Sequence, residues 1–217
     1  NNNTAIGYAA LGANTIGAQN TAVGKNALFQ TTTGIQNTAL GFEALYTPTT
    51  VSNNTAVGYR ALLSNTTAND NTAIGCNALR LNTTGEFNVG VGASALAANT
   101  TGGYSVAVGC FALDANTTGA SNTALGYGAL TANTTASFNT AVGNGSLQAN
   151  TTGASNVAVG RDALTANTTA DNNTAVGKSS LAANTTGTMN VAVGREAGKS
   201  ITTNSGCTMI GANAGQA

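Results

Sequence analysis

The sequence is poor in the residues on which most catalytic and ligand-binding sites depend. It contains no histidine, no tryptophan and only seven basic and seven acidic residues among 217. The absence of histidine removes the most common acid–base catalyst and metal ligand, and the acidic residues are scattered singly. No basic patch is present for a nucleic acid or an acidic membrane, and no apolar run approaches the ~18 residues of a membrane-spanning helix. We therefore predict no enzymatic activity, no cofactor, no metal site and no membrane insertion.

A seventeen-residue repeat accounts for nearly the whole chain. A glycine recurs every 17 residues, from Gly7 to Gly211, without insertion or deletion. Numbered from its first asparagine, the consensus is N-T-A-V-G-x-x-A-L-x-A-N-T-T-G-x-x, and a period of this length indicates stacked repeats. We predict a single repeat domain over residues 1–217, expected to be a fragment of a longer chain, with repeats starting at residues 3, 20, 37, 54, 71, 88, 105, 122, 139, 156, 173, 190 and 207.

The pattern within each repeat favours β-strands. Positions 2 and 4 carry β-branched residues on either side of alanine, and glycine at position 5 permits a sharp turn. The segment A-L-x-A-N-T-T-G has room for a second short strand, and no helical stripe is present. We therefore predict an all-β fold, a β-solenoid or parallel β-roll of about 13 coils with 17 residues each. At roughly 4.8 Å per coil the rod is roughly 60 Å long.

Two columns of large aliphatic residues are expected to form the core. By a column we mean the residues at one repeat position in successive coils. Position 4 is always Val, Ile or Leu, and position 9 is Leu from Leu11 to Leu181. The alanine column at position 3 has two interpretations: it permits the close approach of another sheet, or it fills a narrow part of the interior.

Charged residues indicate which columns face water. All of them lie at positions 6, 7, 10, 16 and 17, and the cost of burying an unpaired charge predicts that these five columns are exposed. The other twelve columns are expected to face the interior or a neighbouring surface. Large aromatic residues share the variable columns, so the candidate receptor-contact residues are Tyr8, Phe42, Tyr59, Arg60, Phe111, Tyr127, Arg161 and Arg195.

Asparagine at positions 1 and 12 predicts hydrogen-bonded ladders that run from coil to coil. The N-T-T phrase at position 12 is also a formal glycosylation sequon, and we favour the ladder because glycans on successive coils would collide. Cys76 and Cys110 are two coils apart, roughly 9.6 Å, which is too far for a disulfide. Cys207 is more distant still, so the three cysteines are predicted to be free thiols.

The phrase N-T-A-V-G-x-x-A-L, as in residues 54–62, resembles the head repeats of trimeric autotransporter adhesins of the YadA type. The longer phrase NTALGYGALTANTTASF, residues 122–138, is similar to the repeats of phage and bacterial tail-fibre-domain proteins. The resemblance covers the whole chain. It implies a left-handed β-roll in a homotrimer, located outside the cell, on a cell surface or on a virion, and acting as a structural and adhesive fibre that meets a glycan or protein receptor.

Two other functions are kept as alternatives. Open strand edges at the ends of the segment can pair with another copy, which predicts a self-assembling extracellular filament. Threonine fills position 13 throughout and position 14 except at Ile16, and a regular outward rank of threonines on a flat sheet can order water, as in an ice-binding solenoid. Neighbouring strand residues point to opposite faces, so only one of the two ranks can contribute to such an array.

Overall fold

Each coil contributes one three-residue strand to a single parallel sheet. The computed structural model describes residues 2–215, and these residues contain no helix. Strand order in the sheet follows chain order, and each residue pairs with its equivalent one coil on, as Ala124 does with Ala141. The predicted all-β solenoid is therefore confirmed, with strands β1 Thr4–Ile6, β2 Thr21–Val23, β3 Thr38–Leu40, β4 Thr55–Val57, β5 Thr72–Ile74, β6 Val89–Val91, β7 Val106–Val108, β8 Thr123–Leu125, β9 Thr140–Val142, β10 Val157–Val159, β11 Thr174–Val176, β12 Val191–Val193 and β13 Thr208–Ile210. Coil n is the repeat that contains strand βn.

The predicted second strand is not formed, because left-handed residues interrupt the rest of the coil. In coil 10, Asp162 at position 7 and Leu164 at position 9 have φ values of 58° and 50°. Position 17 is also left-handed, as at Ser155 with φ 58°. Backbone amides in these turns still bond between coils, since Leu164 N donates to Ser180 O at 3.0 Å. The coils are thus joined by hydrogen bonds both inside and outside the sheet.

The core consists of the alanine columns at positions 3 and 8 and the leucine column at position 9. Ala124, Ala129 and Leu130 are fully buried, and their equivalents form one continuous cluster. The prediction that position 4 belongs to the core is wrong, because its side chains lie on the outer face of the sheet, where Leu40 is 46% exposed. Strand alternation places positions 2 and 4 on the face opposite position 3.

The interior is too narrow for a second column of large side chains. A Cβ added to Gly90, at position 3 of coil 6, would lie 3.3 Å from Leu79 Cγ and 3.2 Å from the carbonyl oxygen of Ala95. An alanine methyl is therefore about as large a side chain as fits opposite a leucine. Of the two interpretations of the alanine column, the structure supports the one in which it fills the interior of its own chain.

Glycine at position 5 is required by a close approach of backbones. Its φ lies between 120° and 137° in all thirteen coils, as the turn predicts. A Cβ on Gly126 would lie 2.7 Å from both the carbonyl carbon and the carbonyl oxygen of Gly143. Because backbone atoms cannot move aside as a flexible side chain can, this column sets how closely the coils stack.

Candidate functional surfaces

The asparagines at position 1 form a buried ladder. Asn122 Oδ1 accepts a hydrogen bond from Asn139 N at 2.9 Å, and Asn122 Nδ2 donates to the carbonyl oxygen of Ala136 at 2.8 Å. Each side chain thus joins its own turn to the next coil. The predicted ladder is confirmed, and Ser105 continues it with its hydroxyl, which accepts from Asn122 N at 3.2 Å.

Position 12 forms a second ladder and leaves no free amide for a glycan. Asn133 Nδ2 donates to Asn116 Oδ1 at 2.9 Å and to the carbonyl oxygen of Ala136 at 3.0 Å. Side-chain to side-chain bonds of this kind run from Asn82 to Asn184. In the folded rod the position 12 sequon asparagines are structural residues with 0% exposure, namely Asn65, Asn82, Asn99, Asn116, Asn133, Asn150, Asn167 and Asn184.

The two threonine columns differ in their surroundings. Hydroxyls at position 13 donate to the backbone of the next coil, as Thr117 Oγ1 does to Thr134 O at 3.0 Å. Side chains at position 14 are exposed in every coil from Ile16 to Thr203. One outward rank of threonines therefore exists, while the neighbouring rank is occupied by hydrogen bonds between coils.

In coils 1 to 4 the candidate residues of position 6 form one stack along the rod. Lys25 Nζ lies 5.9 Å from the ring centroid of Tyr8 and 5.8 Å from that of Phe42. Phe42 stacks in turn on Tyr59, with centroids 5.5 Å apart and an interplanar angle of 10°. Since the neighbours of Phe42 come from the preceding and the following coil, both faces of its ring are covered.

Position 7 completes this stack with an ion pair. The Arg60 guanidinium carbon lies 5.0 Å from the Tyr59 ring centroid, and Arg60 Nε donates to Glu43 Oε2 at 2.8 Å. The hydrogen bond to Glu43 raises the pKa of Arg60 above its ordinary value. The ring of Tyr59 thus contacts both Phe42 and Arg60, and the residue remains 45% exposed.

Farther along the rod the position 6 column is more open. Phe111 and Tyr127 meet edge to face, with centroids 6.1 Å apart and an interplanar angle of 87°, and Tyr127 remains 57% exposed. Arg161 and Arg195 lie in coils 10 and 12, too far from the first four coils to share a site with them. Lys178 lies between them and is exposed. It is not among the residues predicted from the sequence, although it stands in the same column one coil from each arginine.

The prediction that the charged columns face water holds for every charged residue but not for every member of these columns, because Gly128, Gly145 and Ser179 at position 7 and Ala97 at position 10 are buried. None of the fourteen charged residues is buried. The complementary prediction, that uncharged columns face inward or a neighbour, is wrong for the side chains of position 14 in the single chain, since they are exposed. Absence of charge is therefore a poor guide to burial in this rod.

One surface was missed by reading the sequence for receptor contacts. The outer face of the sheet, formed by positions 2 and 4 of β1 to β13 and called the sheet face below, carries only Thr, Val, Ile, and Leu. It contains no charge over its whole length. Its most exposed aliphatic side chains, all between 38% and 72% exposed, are Ile6, Leu40, Ile74, Val108, Val193 and Ile210.

Enclosed sites are absent from residues 2–215. These residues contain no ligand-sized cavity and no cluster of three or more His, Cys, Asp or Glu side chains able to hold a metal ion. No helix among them is long and apolar enough to cross a membrane, and Cys76, Cys110 and Cys207 are free thiols. No family model, curated protein or solved structure matches the chain. Function must therefore be inferred from the surfaces of the rod.

Proposed function

We propose that the chain is a segment of an extracellular fibre, on a virion or a bacterial surface. Its copies associate side by side through the sheet face, and the position 6 and 7 columns are left for attachment to a receptor. The observation that carries this proposal is the sheet face itself, which is uncharged in all thirteen coils and carries only Thr, Val, Ile and Leu side chains. Stiffness comes from the two asparagine ladders and from the hydrogen bonds between coils.

The sheet face is as large as the largest apolar patches that isolated chains usually expose. Two columns over twelve strand spacings cover on the order of 600 Å², whereas the largest apolar patch of a typical monomer measures roughly 300–600 Å². A patch at or above this limit favours a partner that covers it. Removal of these side chains from water would stabilise the assembly by the hydrophobic effect.

A second copy of this chain is the partner that fits the sheet face best. Its own side chains repeat at the same strand spacing of about 4.8 Å, so ridges of one copy can pack into grooves of the other in every coil. A partner without this period would match only locally. Resemblance to trimeric adhesins favours three copies, with their sheet faces turned toward a common axis.

Sedimentation equilibrium of substituted chains tests the lateral association. Val142→Lys, Val159→Lys and Val176→Lys together place three charges on the sheet face, and we expect this variant to sediment as a monomer while the unsubstituted chain is trimeric. The matched control carries Thr135→Lys, Thr152→Lys and Thr169→Lys at exposed position 14 and should remain trimeric. Circular dichroism of both variants reports whether the coils still form. An unsubstituted chain that is monomeric at all concentrations would contradict the proposal.

The exposed threonine rank at position 14 favours ice binding as a second candidate. Its hydroxyls recur at the strand spacing and point to water in every coil from coil 2 to coil 12. Thermal hysteresis measured on the purified chain tests this candidate directly, and its absence at millimolar protein removes it. The third candidate, an end-to-end filament, predicts long rods in electron micrographs instead of discrete particles.

A further inference from the structure

We propose that position 6 of coils 8 to 12 binds an acidic oligosaccharide laid along the rod axis. These five residues are called the basic row: Tyr127, Asn144, Arg161, Lys178 and Arg195. The proposal rests on the proposed function in one respect, the use of the position 6 and 7 columns for attachment, and it names the class of ligand. It does not depend on how many copies associate.

The distribution of charge singles out the basic row. Three of the seven basic residues of the chain stand in consecutive coils of one column, at Arg161, Lys178 and Arg195. These three residues lie in the turns that follow β10, β11 and β12, and because neighbouring coils are about 4.8 Å apart, their like charges repel one another. All three side chains are exposed. An arrangement that repels itself in the free rod is relieved when anionic groups bind beside it.

Neighbouring acids compensate the row only in part. Arg161 Nε lies 3.1 Å from Asp162 Oδ2 within its own coil, and Glu196 Oε2 pairs with Lys199 Nζ at 3.5 Å. Coil 11 has Ser179 at position 7, so the central cation of the row has no acid beside it in its own coil. Lys178 makes no ion pair within 4.0 Å among residues 2–215.

The remaining members of the row suit a sugar better than a nucleic acid. Tyr127 contacts Phe111 edge to face and is 57% exposed, so at least one side of its ring is open to a pyranose. Asn144 is exposed next to it and offers both a donor and an acceptor. Asp162 and Glu196 can accept hydrogen bonds from sugar hydroxyls, whereas the ionised phosphates of a nucleic acid have no hydrogen to donate to them. A single-stranded nucleic acid would also need several stacking rings, and the row supplies one.

The other cation of the same column provides a natural comparison. Lys25 stands between Tyr8 and Phe42, with its Nζ within 6 Å of both ring centroids. Its charge is thus already engaged by the rings, and no second cation stands beside it at position 6. Lys25→Gln changes the net charge as Lys178→Gln does, but at a distance of nine coils from Lys178.

Calorimetric titration of the folded chain with defined sugars tests the proposal. The probes are a heparin-derived hexasaccharide, which carries sulfates, and a hexamer of galacturonate, which carries carboxylates only; maltohexaose and oligothymidylate serve as controls. We expect at least one acidic sugar to bind, with the two acidic probes distinguishing sulfate from carboxylate, and neither control to bind. Lys178→Gln should weaken binding about threefold, as expected for one exposed charge pair. Arg161→Gln, Lys178→Gln and Arg195→Gln together should abolish it.

Three results would overturn the proposal. They are failure of both acidic sugars to bind, equal weakening by Lys25→Gln and Lys178→Gln, and binding of oligothymidylate as tight as that of the acidic sugars. The substituted side chains are exposed, and an unchanged thermal midpoint verifies that each variant folds. Repeating the titration on a Val142→Gln, Val159→Gln and Val176→Gln variant separates this proposal from the lateral association, because these changes place polar groups on the sheet face without adding positive charge to the coils of the basic row.

Discussion

In coils 2 to 11, leucine at position 9 is both the largest buried side chain and a residue with left-handed backbone. From Leu11 to Leu181, φ lies between 48° and 55°. A left-handed conformation costs an L-residue about 1–2 kcal/mol, whereas full burial of a leucine side chain contributes about 1.5–3 kcal/mol. Burial therefore outweighs the backbone cost, which is why a leucine stands at a turn position that usually favours glycine.

The position 5 glycine is predicted to be the least replaceable residue of a coil. Gly126→Ala places a methyl against the backbone of Gly143, and the combined clash and backbone strain should lower the free energy of unfolding by about 3 kcal/mol or more. Gly128→Ala is the matched control in the same coil, since Gly128 also has positive φ, 64°, but its nearest contact would be Thr131 Oγ1 at 3.3 Å. That change should cost about 1 kcal/mol. Denaturant unfolding of both variants makes the comparison, and equal destabilisation would argue against the close approach.

Asp114 is predicted to make stability depend on pH. Partial burial raises the pKa of its carboxyl above the ordinary 3.8, and the nearby Arg80 opposes this rise. A raised pKa in the folded state means that stability is higher below pH 3.8 and falls as the pH rises through the folded-state value. Asp114→Asn should therefore raise the thermal midpoint at pH 7 and have little effect at pH 3.

The control for this change is Asp70→Asn, which removes the same charge from an exposed side chain. A lower midpoint for Asp114→Asn at pH 7 would mean that attraction to Arg80 outweighs burial.

The last two coils show that the side chains at positions 3 and 9 compensate each other in size. Leucine at position 9 is replaced by Gly198 and Gly215, and alanine at position 3 is replaced by Met209. A Cβ on Gly198 would lie 2.8 Å from Met209 Sδ, so the thioether fills the space that leucine occupies elsewhere. The filled volume of the interior is thus kept, although the large side chain now comes from position 3 instead of position 9.

This exchange predicts that the effects of substitutions at residues 198 and 209 on the free energy of unfolding are not additive. Met209→Ala alone should leave a void and cost about 2 kcal/mol, and Gly198→Leu alone should overpack against the methionine and cost about 1–3 kcal/mol. Together they restore the consensus of coils 1 to 11, so the double variant should be more stable than the sum of the single effects. Chemical denaturation of all four chains measures the coupling, and simple additivity would contradict the packing account.

The sequence predicted the elements that repetition reveals and missed those that depend on the width of the coil. Gly126 and its equivalents predict a turn because every coil has glycine at position 5. Asn122 and Asn133 predict a ladder because a buried amide needs hydrogen-bond partners. The prediction that Val142 lies in the core is wrong because a three-residue strand can turn either its middle residue or its two outer residues inward. The larger side chains usually face inward, but here they face outward. Which residue faces inward is decided by the space opposite Leu147, which is wide enough only for a small side chain. The left-handed turns also escaped prediction, since leucine at position 9 gives no local signal for them.

At the scale of the whole molecule, stability is distributed over near-identical junctions between coils. Each coil contacts its neighbours alone, so the rod can be extended without a new core, as in other repeat proteins. The position 12 ladder is interrupted where Thr31, Pro48 and Ile201 replace asparagine, and beside Ile201 the Asn184 Oδ1 atom has no hydrogen-bond partner within residues 2–215. Charge is confined to columns away from the sheet face, which leaves that face uniform along the rod.

The surfaces were less predictable than the fold. Arg161 and Arg195 are predicted receptor contacts because of their column. Lys178 becomes a candidate binding residue only because a cation lies on either side of it. Tyr59 is a predicted receptor contact, but its sequence position does not reveal that Phe42 and Arg60 lie against its ring. A surface site depends on which neighbours cover a side chain, and the repeat consensus does not contain that information.

Thiol labelling of the sheet face tests the central claim, that this face is covered by other copies of the chain. In a background with Cys76, Cys110 and Cys207 replaced by serine, Val108→Cys puts a thiol on the sheet face at a side chain that is 38% exposed in the single chain. Thr118→Cys puts one at exposed position 14 of the same coil. Lateral association predicts that Val108→Cys reacts with a bulky maleimide far more slowly than Thr118→Cys, and that Val142→Lys, Val159→Lys and Val176→Lys remove the difference. Fast labelling of Val108→Cys in the unsubstituted assembly would contradict it.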